Sequence, residues 1–267
     1  MEDTMAIKAL CIGINDYPGT SNDLSGCVND AKDWSHELTQ RGFKVQQLLD
    51  KAATRAAMIN SISNLILTGK KGDTLVITYS GHGTWVPDKN GDEPDGRDEA
   101  LCPYDLSTNG ALLDDDIHAI FQERPSGMRI ILISDSCHSG SVTRGKEEDL
   151  DPGLPRVRFM PLEAWMPQAD LPPAQLRVAI PSGGFTRAGG DLLLAGCQDT
   201  EYSWDTNFRG RPNGAFTYYA LKALREAKPK TYEAWFQTIR AYLPSTRLPQ
   251  SPQLFGTRTA RRFKVFQ

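Results

Sequence analysis

The chain has 267 residues, and its length and composition exclude several classes of protein. A hydrophobic content of 39% and a charged content of 24% are ordinary for a globular protein with one large domain, or at most two small ones. The net charge of −3 gives no electrostatic reason to expect nucleic acid or an anionic membrane as a partner, and no apolar run is long enough to span a bilayer.

The first residues and the cysteines indicate the compartment. Residues 1–5 are acidic where a signal peptide would be basic, and no long apolar segment follows them. The five cysteines are an odd number without paired spacing, which favours reduced thiols in a reducing compartment. We therefore expect a cytoplasmic protein. We also expect it to be monomeric and to need no organic cofactor.

Apolar periodicity predicts strands that alternate with helices along the chain. Such alternation is typical of an α/β fold with a mostly parallel central sheet and helices on both of its faces. The predicted strands are 6–14, 43–49, 75–79, 130–133, 191–195 and 262–266, and the predicted helices are 30–40, 54–67, 114–121, 215–226 and 232–243.

Two short polar motifs each follow a predicted buried strand directly. They are Ser-Gly-His-Gly at 80–83 and Asp-Ser-Cys-His-Ser-Gly at 135–140. Reactive groups in parallel α/β sheets collect just beyond the carboxyl ends of the strands, so neighbouring strands would bring His82 and Cys137 together. A thiol beside an imidazole is the minimal apparatus of a cysteine nucleophile, and the sequence therefore predicts a cysteine protease.

These motifs resemble the catalytic signatures of the caspase-fold clan, specifically of metacaspases and their bacterial relatives, the orthocaspases. The spacing of His82 and Cys137 agrees with caspases, in which the histidine lies about fifty residues before the cysteine. The segment 24–31 resembles the part of metacaspases that lines the specificity pocket. The acidic segment 91–99 and the segment 214–217 also resemble the family, in the same order, so the resemblance covers most of the chain.

The resemblance implies a single caspase-like peptidase domain over 1–267. Within it, about 1–143 would correspond to the large subunit, 144–190 to a proline-rich junction and 191–267 to the small subunit. Self-cleavage occurs at this junction in the resembled family, whereas a linker that merely tolerates insertion is the alternative. Basic residues that we expect to be exposed and mobile there are Arg144, Lys146, Arg156, Arg158, Arg177 and Arg187.

Cys137 is the predicted nucleophile and His82 its predicted base. A buried cysteine after a strand is most often inert, but small polar neighbours leave this sulfur accessible. His138 competes for the role of base, although adjacent side chains of an extended segment point to opposite sides. The resemblance implies that the backbone amides of Gly83 and Cys137 form the oxyanion hole.

The predicted specificity pocket is acidic. Asp135 follows a buried strand, where a carboxylate is costly unless it is used. Asp30 lies in the first family-like segment, and Cys27 and Ser80 are further pocket walls in the metacaspase pattern. Two carboxylates would select Arg or Lys before the scissile bond. For Asp30, a purely structural role at a helix N-terminus is the alternative.

A calcium site is a further expectation from the resemblance, because metacaspases commonly bind an activating calcium through scattered acidic residues. The candidate ligands are Asp98, Asp114 and Asp115, whose hard oxygen atoms suit Ca²⁺. The loop after His82 begins like an EF-hand loop, but Glu93 stands where that motif requires glycine. Arg144 occupies the approximate place of another acidic ligand, and Asp114 could simply cap a helix.

The sequence thus predicts an endopeptidase that cleaves protein or peptide substrates after Arg or Lys. Two alternatives stay open. One is a caspase-fold protease of different specificity, such as legumain-like cleavage after Asn. The other is a catalytically silent caspase-like interaction module, which the intact Cys137 and His82 disfavour.

Overall fold

The computed structural model describes residues 5–91, 96–137, 155–173, 191–198 and 201–267. The helices and strands alternate along most of the chain, as the apolar periodicity predicts. In chain order they are β1 (Ile7–Gly13), α1 (Cys27–Gln40), β2 (Lys44–Leu49), α2 (Arg55–Leu67), β3 (Thr74–Ser80), β4 (Gly83–Pro87), β5 (Arg97–Leu101), α3 (Leu106–Asn109), β6 (Leu112–Leu113), α4 (Asp114–Gln122), β7 (Arg129–Asp135), β8 (Arg156–Val157), β9 (Leu192–Ala195), β10 (Trp204–Phe208), β11 (Arg211–Gly214), α5 (Ala215–Ala227), α6 (Tyr232–Arg240), β12 (Gln253–Gly256) and α7 (Arg258–Arg261).

A six-stranded sheet in the order β12-β9-β7-β3-β1-β2 forms the centre of the fold. Every neighbouring pair is parallel except β12 with β9. Strand β3 is buried along its whole length, because helices cover both faces of the sheet. The predicted fold class, α/β with a mostly parallel sheet, is therefore confirmed.

The two faces of the sheet bury alternate residues of each strand. Leu10 and Ile12 of β1 belong to the core beneath α2 and α4. Ala9 and Cys11 of the same strand belong to the core beneath α1, α5 and α6. No helix in the described part of the chain is both long and apolar enough to cross a membrane.

Two small antiparallel sheets lie beside the central one. The first has the order β4-β5-β6, and its strand β4 begins at Gly83, immediately after His82. The second has the order β11-β10-β8. Its strand β8 comes from the junction that the sequence marks as irregular because of its many prolines.

Most predicted elements are present with ends shifted by a few residues, but the predicted closing strand at 262–266 is wrong. The sixth strand of the sheet is β12, which is only four residues long and directly follows Pro252. The segment 262–266 is apolar for another reason, because Val265 and Phe266 are buried. The ring of Phe266 packs on those of Trp34, Phe43, Tyr232 and Trp235.

Candidate active site

The carboxyl ends of β3 and β7 lie side by side at one edge of the sheet. In their parallel pairing Ser80 is opposite Asp135, so the two polar motifs leave the sheet at the same level. Cys137 is fully buried, so the expectation that its sulfur is accessible is wrong for this structure, and His82 is only 2% exposed. The structure thus brings the predicted histidine and cysteine to the same sheet edge.

His82 is held by hydrogen bonds at its backbone and at one ring nitrogen. Its amide donates to the hydroxyl oxygen of Tyr17 over 2.8 Å, and the hydroxyl of Tyr79 donates to its carbonyl over 2.6 Å. Ring atom Nε2 lies 2.6 Å from the carbonyl oxygen of Asn22, an acceptor, which assigns the proton to Nε2. Atom Nδ1 has no hydrogen-bond partner within the described residues. Burial lowers the pKa of His82 to about 4, so the ring is neutral with Nδ1 as its basic atom.

The sulfur of Cys137 lies against the backbone of Ser203. The Ser203 amide donates to Sγ over 2.6 Å, and the Ser203 carbonyl oxygen is 3.5 Å from the same atom. Cys197 is a second neighbour, and its hydrogen bond to Cys137 is the main cause that raises the pKa of the Cys197 thiol. An N–H donor directed at a sulfur stabilises the thiolate form.

A carbonyl group of the chain itself lies between the predicted oxyanion donors. The carbonyl oxygen of Arg158 accepts from the Gly83 amide at 3.0 Å and from the Cys137 amide at 3.1 Å. The Arg158 amide in turn donates to the carbonyl of Ser203 over 3.0 Å. The His82 ring also lies against the Arg158 backbone. The backbone of Arg158 is therefore fixed on both sides, with its carbonyl between Gly83 and Cys137.

The side chain of Arg158 is fully buried and surrounded by carboxylates. Its Nη2 atom is 2.7 Å from Oδ2 of Asp30 and 3.0 Å from Oδ1 of Asp205. Its Nη1 atom is 3.1 Å from Oδ2 of Asp135. A buried guanidinium is tolerated only when it is paired and hydrogen-bonded, and these three contacts satisfy that condition.

Each of two carboxylates in this cluster has further donors that fix its direction. Asp135 accepts from the hydroxyl of Ser203, and from the amide and hydroxyl of Thr217 at 2.9 and 2.8 Å. Asp205 accepts from the amide and hydroxyl of Ser25 at 2.8 and 2.9 Å. Donors of this number keep both carboxylates aimed at the pocket.

Asp30 completes the cluster from helix α1. It accepts from the side-chain amide of Asn213 at 2.8 Å and from the Gly214 amide at 3.0 Å. Burial raises the pKa of Asp30 to about 7, and the Arg158 guanidinium opposes that shift. A Cβ atom at Gly214 would lie 2.2 Å from Oδ2 of Asp135 and 2.4 Å from Nη1 of Arg158. Only glycine therefore fits at this wall of the pocket.

We use the word strap for residues 155–165, the segment that carries Arg158 through the site. On its N-terminal side, β8 pairs with β10 in antiparallel fashion, and Val157 lies opposite Trp204. Val157 is half-buried against the small apolar cluster that contains Trp204. The guanidinium of Arg156 donates to the carbonyl of Asp23 over 2.5 Å.

The strap continues as extended chain on the other side of Arg158. Phe159 forms a parallel bridge with Gly83. The Met160 amide donates to the Gly83 carbonyl over 2.8 Å, and the hydroxyl of Thr84 donates to the Met160 carbonyl over 2.8 Å. Met160 is fully buried. An extended chain thus crosses the site on both sides of one arginine, with backbone pairing along its length.

The expectation that the basic residues of the junction are exposed is wrong for Arg158. Three carboxylates from α1, β7 and β10 surround it and replace its water. Arg156, two residues earlier on the strap, is half-buried. The other predicted junction residues and the competing base lie outside the described residues: Arg144, Lys146, Arg177, Arg187 and His138.

The two remaining predicted pocket residues are buried beside the cluster. Ser80 is 1% exposed and is paired in register with Asp135. Cys27 is fully buried, which raises the pKa of its thiol, while the nearby Arg158 guanidinium acts in the opposite direction. Asp30, Asp135 and Cys27 therefore lie around the Arg158 side chain, and Ser80 lies opposite Asp135 on the neighbouring strand.

Three functional contacts were missed in the sequence. Asp205 lies on β10, in a hairpin without any recognisable motif, and only its position opposite β8 reveals its role. Asn22 and Ser203 act through backbone atoms, which are the same for every residue type. No sequence pattern signals such contacts.

The predicted calcium ligands lie on β5 and at the start of α4. Asp98 and Asp114 are buried, and Asp115 is half-buried and accepts from the side-chain amide of Asn90 at 3.0 Å. Asp114 is the first residue of α4, and Leu113 is the N-cap. No group of three or more His, Cys, Asp or Glu side chains within the described residues is arranged to hold a metal ion.

Comparison with known proteins identifies the family. A family model described as the metacaspase, peptidase C14 domain matches residues 7–144. The chain belongs to the metacaspase family of cysteine peptidases. It is 35% identical to Metacaspase-1 of Cryptococcus neoformans over 92% of this chain and 61% of that protein. It is 32% identical to Metacaspase-1B of Aspergillus terreus, over 92% of this metacaspase and 74% of the relative.

The chain spans about three fifths of the length of the first Cryptococcus relative, so only part of that protein is matched. Solved structures share the fold. A crystal structure of a protein from Geobacter sulfurreducens is 31% identical, with a TM-score of 0.74 and 98% of both chains covered. Caspase-1 from Spodoptera frugiperda is 12% identical, with a TM-score of 0.60, covering 94% of this chain and 86% of that one, and shows likeness of fold alone.

Proposed function

We propose that this metacaspase is an endopeptidase that cleaves proteins after Arg or Lys through Cys137 and His82. The observation that carries the proposal is Arg158, whose carbonyl oxygen accepts from two amides while its guanidinium meets three carboxylates. An arginine of a substrate would find the same partners. Paired carboxylates favour a planar guanidinium over the point charge of lysine, so we expect arginine to be preferred.

In the proposed acylation step, Nδ1 of His82 takes the proton of the Cys137 thiol, and the sulfur attacks the carbonyl carbon of the residue in the acidic pocket. The negative charge that develops on the carbonyl oxygen is stabilised by the amides of Gly83 and Cys137. His82 delivers a proton to the amide nitrogen of the leaving residue, and the C–N bond breaks. A thioester on Cys137 and a free amine result.

In the proposed deacylation step, His82 takes a proton from water, and the resulting hydroxide attacks the thioester. The C–S bond breaks, the thiol is regenerated and a carboxylate leaves. The Asn22 carbonyl accepts from Nε2 in both steps, which keeps Nδ1 as the atom that exchanges protons. His82 thus acts as base and then as acid during acylation, and it takes a proton from water and returns one to the Cys137 sulfur during deacylation.

The first substrate in this proposal is the chain itself. The peptide bond between Arg158 and Phe159 follows the carbonyl that the two amides hold, so the proposed oxyanion donors are already in place for cleavage there. Arg156 lies two residues away, with its side chain bound to a carbonyl outside the pocket. We therefore propose self-processing after Arg158 and not after Arg156.

The pocket also bears on the two alternatives. Three carboxylates around one guanidinium support a basic P1 residue, because an uncharged asparagine side chain would leave their charge uncompensated. An interaction module would have no use for a neutral His82 and an amide donor at the Cys137 sulfur. Both observations favour the peptidase.

A peptide panel tests the proposed function. Peptides that are identical except for Arg, Lys, Asn or Asp before the scissile bond are incubated with the wild-type protein and with Cys137→Ala. We expect turnover of the Arg and Lys peptides by the wild type alone. Equal turnover of the Asn or Asp peptides, or turnover by Cys137→Ala, would contradict the proposal.

A pair of strap variants tests self-processing. Arg158→Ala removes the side chain that fills the pocket, and we expect this variant to lose the cut after residue 158. Arg156→Ala is the matched control, because it removes an arginine of the same strap whose contact is outside the pocket. The control is expected to keep the cut. Loss of cleavage in the control alone would mean that Arg156 is the processed residue.

We propose a role for calcium only at high concentration. Asp98, Asp114 and Asp115 supply acidic oxygens, but no described group of three acidic side chains is arranged as a metal site. Hard cations require six or more oxygen ligands, so these residues alone would hold calcium weakly. Calcium would then modulate the enzyme without taking part in the chemistry.

We also propose that the enzyme works as a monomer in a reducing compartment such as the cytoplasm. All five cysteines are free and buried, which supports a reducing environment. The nucleophilic thiol would itself be vulnerable to oxidants. Sedimentation of the purified protein tests the monomer, and cell fractionation tests the compartment.

A further inference from the structure

We propose that only the N-terminal half of the strap is released after cleavage and that Met160 stays in place. Met160 then restricts the primed side of the substrate groove, which binds the residues after the scissile bond, to a single residue. This inference rests on the proposed cleavage after Arg158. It predicts a mature enzyme that recognises its substrates almost wholly by the residues before the scissile bond.

The C-terminal half of the strap is part of the protein core. Met160 is fully buried in the core beneath α2 and α4, and Leu162 is 2% exposed in a one-turn 3₁₀ helix. The Met160 amide donates to the Gly83 carbonyl, and the Thr84 hydroxyl donates to the Met160 carbonyl. The side-chain amide of Asn22 also lies 3.2 Å from the Met160 sulfur. None of these contacts involves the bond that is cut.

The N-terminal half of the strap lacks such an anchor. Pro155, Arg156 and Val157 are all half-buried, and their pairing with β10 covers only two residues. Arg158 holds this half in place through its side chain and its carbonyl. Hydrolysis turns that carbonyl into a carboxylate, whose charge is repelled by the three aspartates. The N-terminal half is therefore expected to leave.

Two residues of the strap occupy the primed side of the groove in the uncut chain. Phe159 occupies the first position after the cut bond and Met160 the second. Once cut, Phe159 is a chain end held only through Met160, so it can swing aside for the first leaving residue of a substrate. The second position stays filled, because Met160 is buried and bonded to β4.

The part of the groove that the N-terminal half of the strap vacates determines which substrates bind. The pocket takes Arg, and Trp204 offers an apolar surface to the residue before it, as it does to Val157. The preferred substrates have Arg preceded by an apolar residue. After the scissile bond, the substrate chain is either short or turns away from the groove at once, because Met160 fills the second position.

Hydrogen exchange tests which half is released. Wild-type enzyme that has been cut after Arg158 is compared with the uncut Cys137→Ala variant. The Met160 amide should stay equally protected in both, whereas the Arg158 amide, which donates to Ser203 in the uncut chain, should lose its protection. Fast exchange of the Met160 amide after cleavage would overturn the inference.

Kinetics test the consequence for substrates. One peptide ends in a small arylamide after Val-Arg, and a second carries four further residues after the same Val-Arg. The measured quantity is the kcat/KM of the long peptide divided by that of the short one. Met160→Ala removes the anchor of the strap, and we expect it to raise this ratio by about tenfold, the order that a few methylenes contribute in an apolar pocket. Met160→Leu keeps the volume and should leave the ratio unchanged.

An unchanged ratio in a folded Met160→Ala enzyme would overturn the inference, as would a wild type that prefers the long peptide. Failure of the proposed function looks different. In that case neither peptide is turned over, and no chain end at Phe159 is found. Should Met160→Ala not fold, the exchange experiment decides alone, because it needs no substitution in the strap.

Discussion

The sequence predicts a binding site made of aspartates in two regions of the molecule, and the structure arranges the carboxylates of these two regions differently. In the pocket, Asp30, Asp135 and Asp205 converge from three elements on one guanidinium. On β5 and α4, Asp98 and the aspartates that begin α4 form no described group arranged for a metal. The two regions differ in the direction of their carboxylates. In the pocket, other hydrogen-bond donors fix the buried carboxylates toward one cation.

The largest expected effect is the loss of the nucleophile at the pocket. Cys137→Ala should abolish both peptide turnover and self-cleavage while the fold is kept, because the variant lacks the sulfur that forms the thioester in the proposed mechanism. His82→Ala should cost nearly as much, since members of one catalytic unit are not additive. Rates are measured with an Arg peptide, and circular dichroism checks the fold. Activity of purified Cys137→Ala near the wild-type level would contradict the assignment.

A pair of matched substitutions compares the two acidic regions directly. Asp205→Asn removes one negative charge from the pocket and should weaken the transition state for Arg peptides by roughly 2–5 kcal/mol, as for a buried charge pair that loses one partner. Asp115→Asn makes the same chemical change in the other region, where the side chain is half-buried, and should change kcat/KM little. Similar losses in both variants would show that the regions are not functionally distinct.

The sequence predicted the sheet, and the placement of His82 and Cys137 at one edge of it, because these depend on local patterns. Continuous β-branched runs mark β3 and β7, and the polar motifs that follow them place His82 and Cys137. Asp205 could not be predicted in this way, because its role depends on the antiparallel contact of β10 with a distant strap. That contact is set by tertiary packing, which leaves no periodic signal in a strand of five residues.

The strap itself shows how composition can mislead. Prolines and charges mark 144–190 as an irregular loop, and its arginines as exposed. Arg158 is nevertheless fully buried, since the energy of burying its charge is offset by three carboxylates. A long side chain in a loop has no pattern that reveals such a partner.

A smaller effect concerns pH. Burial under the strap lowers the pKa of His82 to about 4, so the base stays neutral and self-cleavage should slow only as the pH falls toward 4. After the N-terminal half of the strap leaves, water reaches the ring and its pKa returns toward the ordinary value of 6.5. Turnover of added peptides should therefore decline at a higher pH than self-cleavage.

The carboxyl of Asp30 acts in the same direction as His82. Burial raises its pKa to about 7 while Arg158 occupies the pocket, and release of that guanidinium removes a group that lowers the pKa. Protonation of Asp30 removes a negative partner of the incoming arginine. Self-cleavage is less sensitive, because Arg158 is already in place. Rates of both reactions are compared across the acid range, and coincident acid limbs would show that the strap does not shift the titration.

The smallest expected effect is that of calcium in the second acidic region. After chelation, calcium is added back while turnover of an Arg peptide is followed. We expect either no response or stimulation only in the millimolar range, because the described carboxylates form no complete site. Saturation at micromolar calcium would show that a tight site exists and would remove the contrast between the regions.

The identity of the chain ends after incubation tests the central claim most directly. We expect purified wild-type protein to yield a new N-terminus that reads Phe159-Met160-Pro161-Leu162. Cys137→Ala should remain a single chain, and so should Phe159→Pro, which keeps Arg158 in the pocket but replaces the leaving amide. An uncut wild type that turns over Arg peptides, or cuts that leave the bond after Arg158 intact, would contradict the account.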